Sequence, residues 1–248
     1  MAIIVVGGSN RGVGKTTLVC ALIAALPEYR WNAVKITTHD HRQPVSPGLA
    51  NAVEGSTSGR IYEFRTPFLR QLFEKGTGTR AGKQEPAPTG SPIWEETTPG
   101  EETDTGRYLS AGAAHALLVT APDGELSEPL NRLWPRFGRG TNLIFESNSV
   151  VHHVRADVCL LIHGVAERAL PLPERKPSFV AAVRHSDALV AHASTDRLIQ
   201  EGVRLAGQEA DTDEAPAPKP IFHLQSLERI SPALMEWLRL RLPSPQQL

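Results

Sequence analysis

The stretch GGSNRGVGKTTL, Gly7 to Leu18, directly follows the apolar run AIIVV and carries the residue types of a phosphate-binding loop. A phosphate cradle needs main-chain N–H groups converging on one point, which side chains would obstruct. It is therefore built from glycines and opens into a helix whose first N–H groups are unpaired. Gly12 and Gly14 stand at the right places, Lys15 follows to reach the β and γ oxygens, and Thr16 supplies the hydroxyl expected on Mg2+. The candidate nucleotide loop runs through Ser9, Asn10, Arg11, Gly12, Val13, Gly14, Lys15, Thr16 and Thr17. Ser9 replaces the glycine of the common spelling, and a small residue suffices for that turn. The pattern predicts a nucleoside triphosphate with Mg2+, ATP or GTP; the guanine-reading NKxD pattern is absent.

A Mg-nucleotide site also needs hard oxygen ligands at the carboxyl ends of neighbouring strands. Asp40, in TTHDH after the second apolar run, is placed to hold a Mg2+ water or to orient an attacking group. Glu146 ends NLIFE as a Walker B acid would, either on Mg2+ or as a base for water. Ser147, Asn148 and Ser149 behind it either bond a ligand or shape the turn. Arg107, in TDTGRYLSAGA, falls on the first turn of a short helix capped by Asp104 or Thr105, where it would stabilise charge on a transferring phosphoryl group. The expected catalytic set is thus Lys15, Asp40, Glu146 and Arg107, and the expected metal set Thr16, Asp40 and Glu146. His39 and His41 flank Asp40, but a closed zinc site takes about four ligands and no second Cys/His cluster completes one.

Short apolar runs alternate with amphipathic stretches to position these groups. Strands are expected at Ala2 to Val6, Asn32 to Thr38, Ala116 to Ala121, Asn142 to Glu146, Asp157 to Ile162, Asp187 to Ala191 and Pro220 to Leu224. Helices are expected at Lys15 to Leu26, Glu125 to Phe137, Ser178 to His185, Thr195 to Ala206 and Ser226 to Leu240. Such alternation predicts an α/β fold: a three-layer, doubly wound, mostly parallel sheet of P-loop NTPase type, forming a single domain over residues 1–248. The stretch from Thr66 to Thr105, rich in Gly, Pro, Thr and Glu, is far longer than a usual loop and reads as a flexible insertion or lid.

Composition narrows the partners. The 248 residues carry a formal charge of −1, which exerts no global pull toward nucleic acid or an acidic membrane. No apolar stretch approaches the roughly 20 residues of a membrane helix, and Met1 runs straight into the first strand, leaving no room for a signal peptide. Cys20 and Cys159 read as small buried hydrophobes rather than a disulfide framework. A cytoplasmic protein is expected.

NRGVGKTT is similar to the loop of the partitioning and nitrogenase-iron ATPases, with Asn10 where that family carries its signature lysine. Several pieces in order also resemble the molybdopterin-guanine dinucleotide biosynthesis adaptor (MobB) family: GGSNRGVGKTTL, AVKITTHDH, TDTGRYLSAGAAHALLVTA and NLIFESNSV. The resemblance covers roughly Ala2 to Glu54 and Asp104 to Ile162, and it aligns Gly12, Gly14, Lys15, Thr16, Asp40, Arg107, Gly112 and Glu146 with the family's motifs. It implies a P-loop fold of the SIMIBI class, a homodimer, and a slow NTPase or adaptor serving a molybdenum-cofactor protein. The same residues equally suit an ATP-dependent kinase or ligase with a small-molecule substrate, or a non-catalytic nucleotide switch.

Overall fold

The computed structural model describes residues 1–9, 12–37, 93–121, 125–138, 140–163, 177–192 and 219–245. Eight described strands form one sheet: β1 (Ile3–Gly8), β2 (Asn32–Thr37), β3 (Ile93–Glu96), β4 (His115–Thr120), β5 (Leu143–Glu146), β6 (Val158–His163), β7 (Ala188–His192) and β8 (Ile221–Leu224). Their order is β3-β4-β2-β5-β1-β6-β7-β8. Every neighbouring pair is parallel except β3–β4, which is antiparallel. The described helices are α1 (Lys15–Ala25), α2 (Asp104–Ser110), α3 (Ser127–Leu133), α4 (Pro177–His185) and α5 (Pro232–Arg241). A parallel sheet covered on both faces is the expected α/β architecture.

The faces follow from strand periodicity. Ile4 and Val6, Ala33, Ile144, and Leu160 with Ile162 point to one side, where they pack with Leu18, Val19 and Leu22 of α1, Tyr108 of α2 and Leu234 and Leu238 of α5. The alternate residues Ile3, Val5, Val34, Ile36 and Phe145 face Leu130 and Leu133 of α3, and Ala181 of α4. Each such leucine or isoleucine adds about 1.5–3 kcal/mol by leaving water. Because the sheet is parallel apart from β3, the ends of β1, β2, β4, β5 and β6 reach the same edge. The amino ends are tied by side chains: Ile3 N donates to Asp157 Oδ2 and Ala2 N to Asn142 Oδ1, each at 2.7 Å.

Several expected boundaries move, for local reasons. The helix expected over Glu125 to Phe137 gives way at Trp134–Arg136 to a tighter turn containing Pro135. The helix expected from Ser226 starts instead at Pro232, where Ser231 accepts a hydrogen bond from Leu234 N at 3.3 Å and the proline occupies the first turn. The cap of α2 is Thr103, whose hydroxyl accepts from Gly106 N at 2.9 Å, rather than Asp104 or Thr105. Within the stretch expected to be a flexible insertion, residues 93–105 include β3 and the first turn of α2; residues 66–92 lie outside the described residues. The helix expected at Thr195 to Ala206 also lies outside them.

The chain enters α1 through Gly14, at φ 102°, after Gly12 at φ 78°. Both lie in the left-handed region, where a Cβ costs about 1–2 kcal/mol. A Cβ on Gly14 would also come within 2.3 Å of Leu227 Cδ1, whereas one on Gly12 would meet nothing within 4 Å. Gly12→Ala is therefore expected to destabilise by about 1–2 kcal/mol and Gly14→Ala by more, as read from urea denaturation midpoints. The gap between them should narrow in a Leu227→Ala background. Equal losses for both glycines would contradict the packing of Leu227 on the loop.

Candidate functional site

The candidate loop leaves β1 at the carboxyl edge and becomes α1. Its first intrahelical bond runs from Leu18 N to Gly14 O at 2.9 Å, so the amides ahead of it lie at the open amino end of the helix. Asn148 fixes the start of the loop: its Oδ1 accepts from Gly8 N at 2.8 Å and its Nδ2 donates to Gly8 O at 2.9 Å. The side chain thereby extends the β1–β5 ladder beyond the end of the β5 backbone. Ser147 Oγ accepts from Ser149 N and Val150 N, starting the turn Ser149–His152. Of the two roles open to this Ser-Asn-Ser run, Ser147 and Asn148 perform the shaping one.

Glu146 and Lys35 are register partners on adjacent parallel strands, so their side chains project on the α1 side. Lys35 Nζ stands 2.6 Å from Glu146 Oε1 and 2.6 Å from Asp104 Oδ2. Glu146 Oε2 accepts from Thr16 Oγ1 at 2.8 Å and from the Tyr108 hydroxyl. The Glu146 side chain is 2 % exposed, against 29 % for Asp104. The Arg107 guanidinium reaches Thr17 Oγ1 at 3.4 Å and also pairs with the exposed Glu101. Helix α2 is thus tied to β2 by Asp104 and, one turn on, to the first turn of α1 by Arg107.

Charge sets the protonation of this cluster. Burial works against the Lys35 ammonium, but Glu146 and Asp104 outweigh it and lift its pKa above the ordinary lysine value. Burial likewise opposes ionisation of Asp104, yet the Lys35 ammonium, by its charge and its hydrogen bond, holds the carboxyl below its usual value. Burial and the neighbouring Glu146 carboxylate push the Tyr108 phenol well up, so it remains a hydrogen-bond donor. Burial also raises the thiols, Cys20 to about 11 and Cys159 to about 12, in keeping with inert packing groups.

Ser9, Gly12, Val13, Gly14, Lys15, Thr16, Thr17, Glu146 and Arg107 lie among the described residues; Thr16 bonds Glu146, and the next residue, Thr17, bonds Arg107. Asn10, Arg11, Asp40, His39 and His41 lie outside the described residues. Lys35 and Tyr108 were not among the expected site residues, and Asp104 was expected only as a cap. A lysine inside the apolar run NAVKITT was the available signal, because a buried ammonium requires anionic partners. Among the described residues no group of three or more His, Cys, Asp or Glu side chains is arranged to hold a metal ion. No helix among them is long and apolar enough to cross a membrane. An open cleft of about 300 Å3, lined by Arg30, Asn32, His115 and Arg136, lies at the amino ends of β2 and β4, on the edge opposite the loop.

No protein-family model, curated protein or solved structure matches the chain.

Two outcomes follow from the cluster. Lys35→Met strands a buried carboxylate and is expected to cost about 3–5 kcal/mol by urea denaturation, with part recovered in Lys35→Met/Glu146→Gln; a variant as stable as the parent would remove Lys35 as the counter-ion. Because the folded pKa of Asp104 is depressed, the unfolded chain binds more protons between the two values, and stability rises with pH across that window. In EDTA, the contribution of Asp104 should be complete above about pH 4 and be lost on further acidification. Asp104→Asn should therefore flatten the acid limb of a stability–pH curve; superimposable slopes would contradict the depressed carboxyl.

Proposed function

We propose that this chain binds a nucleoside triphosphate with Mg2+ at the loop joining β1 to α1, and acts as a nucleotide-dependent adaptor with slow turnover. The observation that carries the reading is the Thr16 hydroxyl, at the amino end of α1, donating to Glu146 from the adjacent strand β5. That proton is committed to Glu146, so the hydroxyl oxygen keeps its lone pairs for a cation. Two buried hydroxyl oxygens near the same edge, Ser9 Oγ and Thr120 Oγ1, have no hydrogen-bond partner among the described residues, as a site built for a polar ligand would leave them.

The residues fit the group. Amides at the amino end of α1 and the Lys15 ammonium suit the phosphates, Thr16 suits the ion, and Arg107, placed beside Thr17, suits a terminal phosphate. Bound Mg2+ would supply charge neutralisation at the phosphates. Glu146 orients Thr16 instead of activating water: its Oε1 serves Lys35 and its Oε2 serves Thr16 and Tyr108, with little surface left. A carboxylate so committed is a poor general base, which supports slow turnover over rapid phosphoryl transfer. The ordered motifs resembling the molybdopterin-guanine dinucleotide adaptors support service to molybdenum-cofactor maturation, in a homodimer.

Lys15→Ala is expected to weaken binding of fluorescent ATP and GTP analogues in Mg2+ by about tenfold or more, the loss of one charge-assisted contact. Superimposable titration curves for the two proteins would overturn the assignment.

A further inference from the structure

The cluster holds two carboxylates that differ in what remains of them. Glu146 is sealed, with both oxygens accepting bonds and its side chain 2 % exposed. Asp104, on the other side of the same ammonium at 2.6 Å, is 29 % exposed, and that ammonium's second partner, Glu146, accepts from Thr16. It is the first residue of α2, behind the Thr103 cap, and Arg107 one turn on reaches Thr17. One short helix therefore sends an acid to the ammonium behind Glu146 and a base to Thr17, the residue after the Thr16 that Glu146 holds.

We propose that Asp104 is the acid that holds the nucleotide-bound Mg2+ beside Thr16, with Glu146 and Lys35 as positioning residues behind it. This rests on the nucleotide-binding reading above and assigns the metal side of that site. Mg2+ dehydrates reluctantly, keeps several waters, and is commonly held by one or two carboxylates together with substrate phosphates. Asp104 meets that requirement better than Glu146, whose two oxygens already accept three hydrogen bonds and whose side chain is 2 % exposed. The charges agree: Lys35 neutralises one of the two carboxylates, and the trio keeps one net negative charge toward its more exposed member. The tether to Lys35 holds Asp104 in place, as partners behind metal-facing groups do.

The test is binding of a fluorescent triphosphate analogue, titrated with Mg2+ and again in EDTA. The readout is the ratio of the two affinities. Asp104→Asn should reduce that ratio by about tenfold or more. Asp104→Glu, which keeps the charge beside Lys35, guards against misfolding, is checked by circular dichroism, and should also lower the ratio. A purely structural Asp104 would weaken binding equally in both conditions, and an unchanged ratio in the folded variants would overturn the proposal while leaving nucleotide binding intact. A parent protein that binds no triphosphate in either condition would instead overturn the underlying reading, and this assignment with it.

Discussion

A single ammonium group, Lys35 Nζ, organises the carboxyl edge of this protein. It sits on the third residue from the carboxyl end of β2, between a carboxylate on the neighbouring strand and one on a helix packed above. Burying any one of the three charges alone would cost several kcal/mol, so their positions are mutually dependent. Glu146 can be sealed because Lys35 answers it, and α2 stays seated because Asp104 shares that answer. Through Glu146 the constraint extends to Tyr108 and to the hydroxyl that begins α1. Strand register, helix docking and the loop exit are thereby one electrostatic problem with one solution.

The candidate loop between β1 and α1 is held by a different means, using neutral groups. Asn148 substitutes its side-chain amide for a missing strand residue and fixes Gly8 from both sides. Leu227, from the connection between β8 and α5, closes over Gly14 where no side chain can stand. A loop gripped at its entrance and packed at its exit is preorganised, which lowers the cost of ordering it around a ligand.

The fold was legible where residue spacing carries it. AIIVV, NLIFE and DVCLLI become β1, β5 and β6 within two residues of their expected bounds, because central parallel strands are continuous apolar runs. Strand β3 was not legible. IWEE is short, follows a Gly- and Pro-rich stretch, and becomes a strand only because β4 offers it an edge. The loop of the candidate site was readable from Gly12 to Thr17, since its chemistry is local in sequence. The cluster behind it was not, because Lys35, Asp104 and Glu146 are brought together by sheet order and helix docking across 111 residues of chain. The roles open to the polar residues after Glu146 could be narrowed only once β1 stood beside β5.

Strand β3 also determines how this sheet ends. It is four residues long and is the outermost described strand on one flank, running against the direction of the other described strands. Its two acids are both occupied: Glu95 pairs with His115 at 2.8 Å, and Glu96 accepts from Thr97 N, Thr98 N and Thr103 Oγ1. A short acidic border whose last side chain folds back onto its own backbone offers a poor template for a further strand. Among the described strands, this border is thus the one least suited to edge-to-edge growth of the sheet.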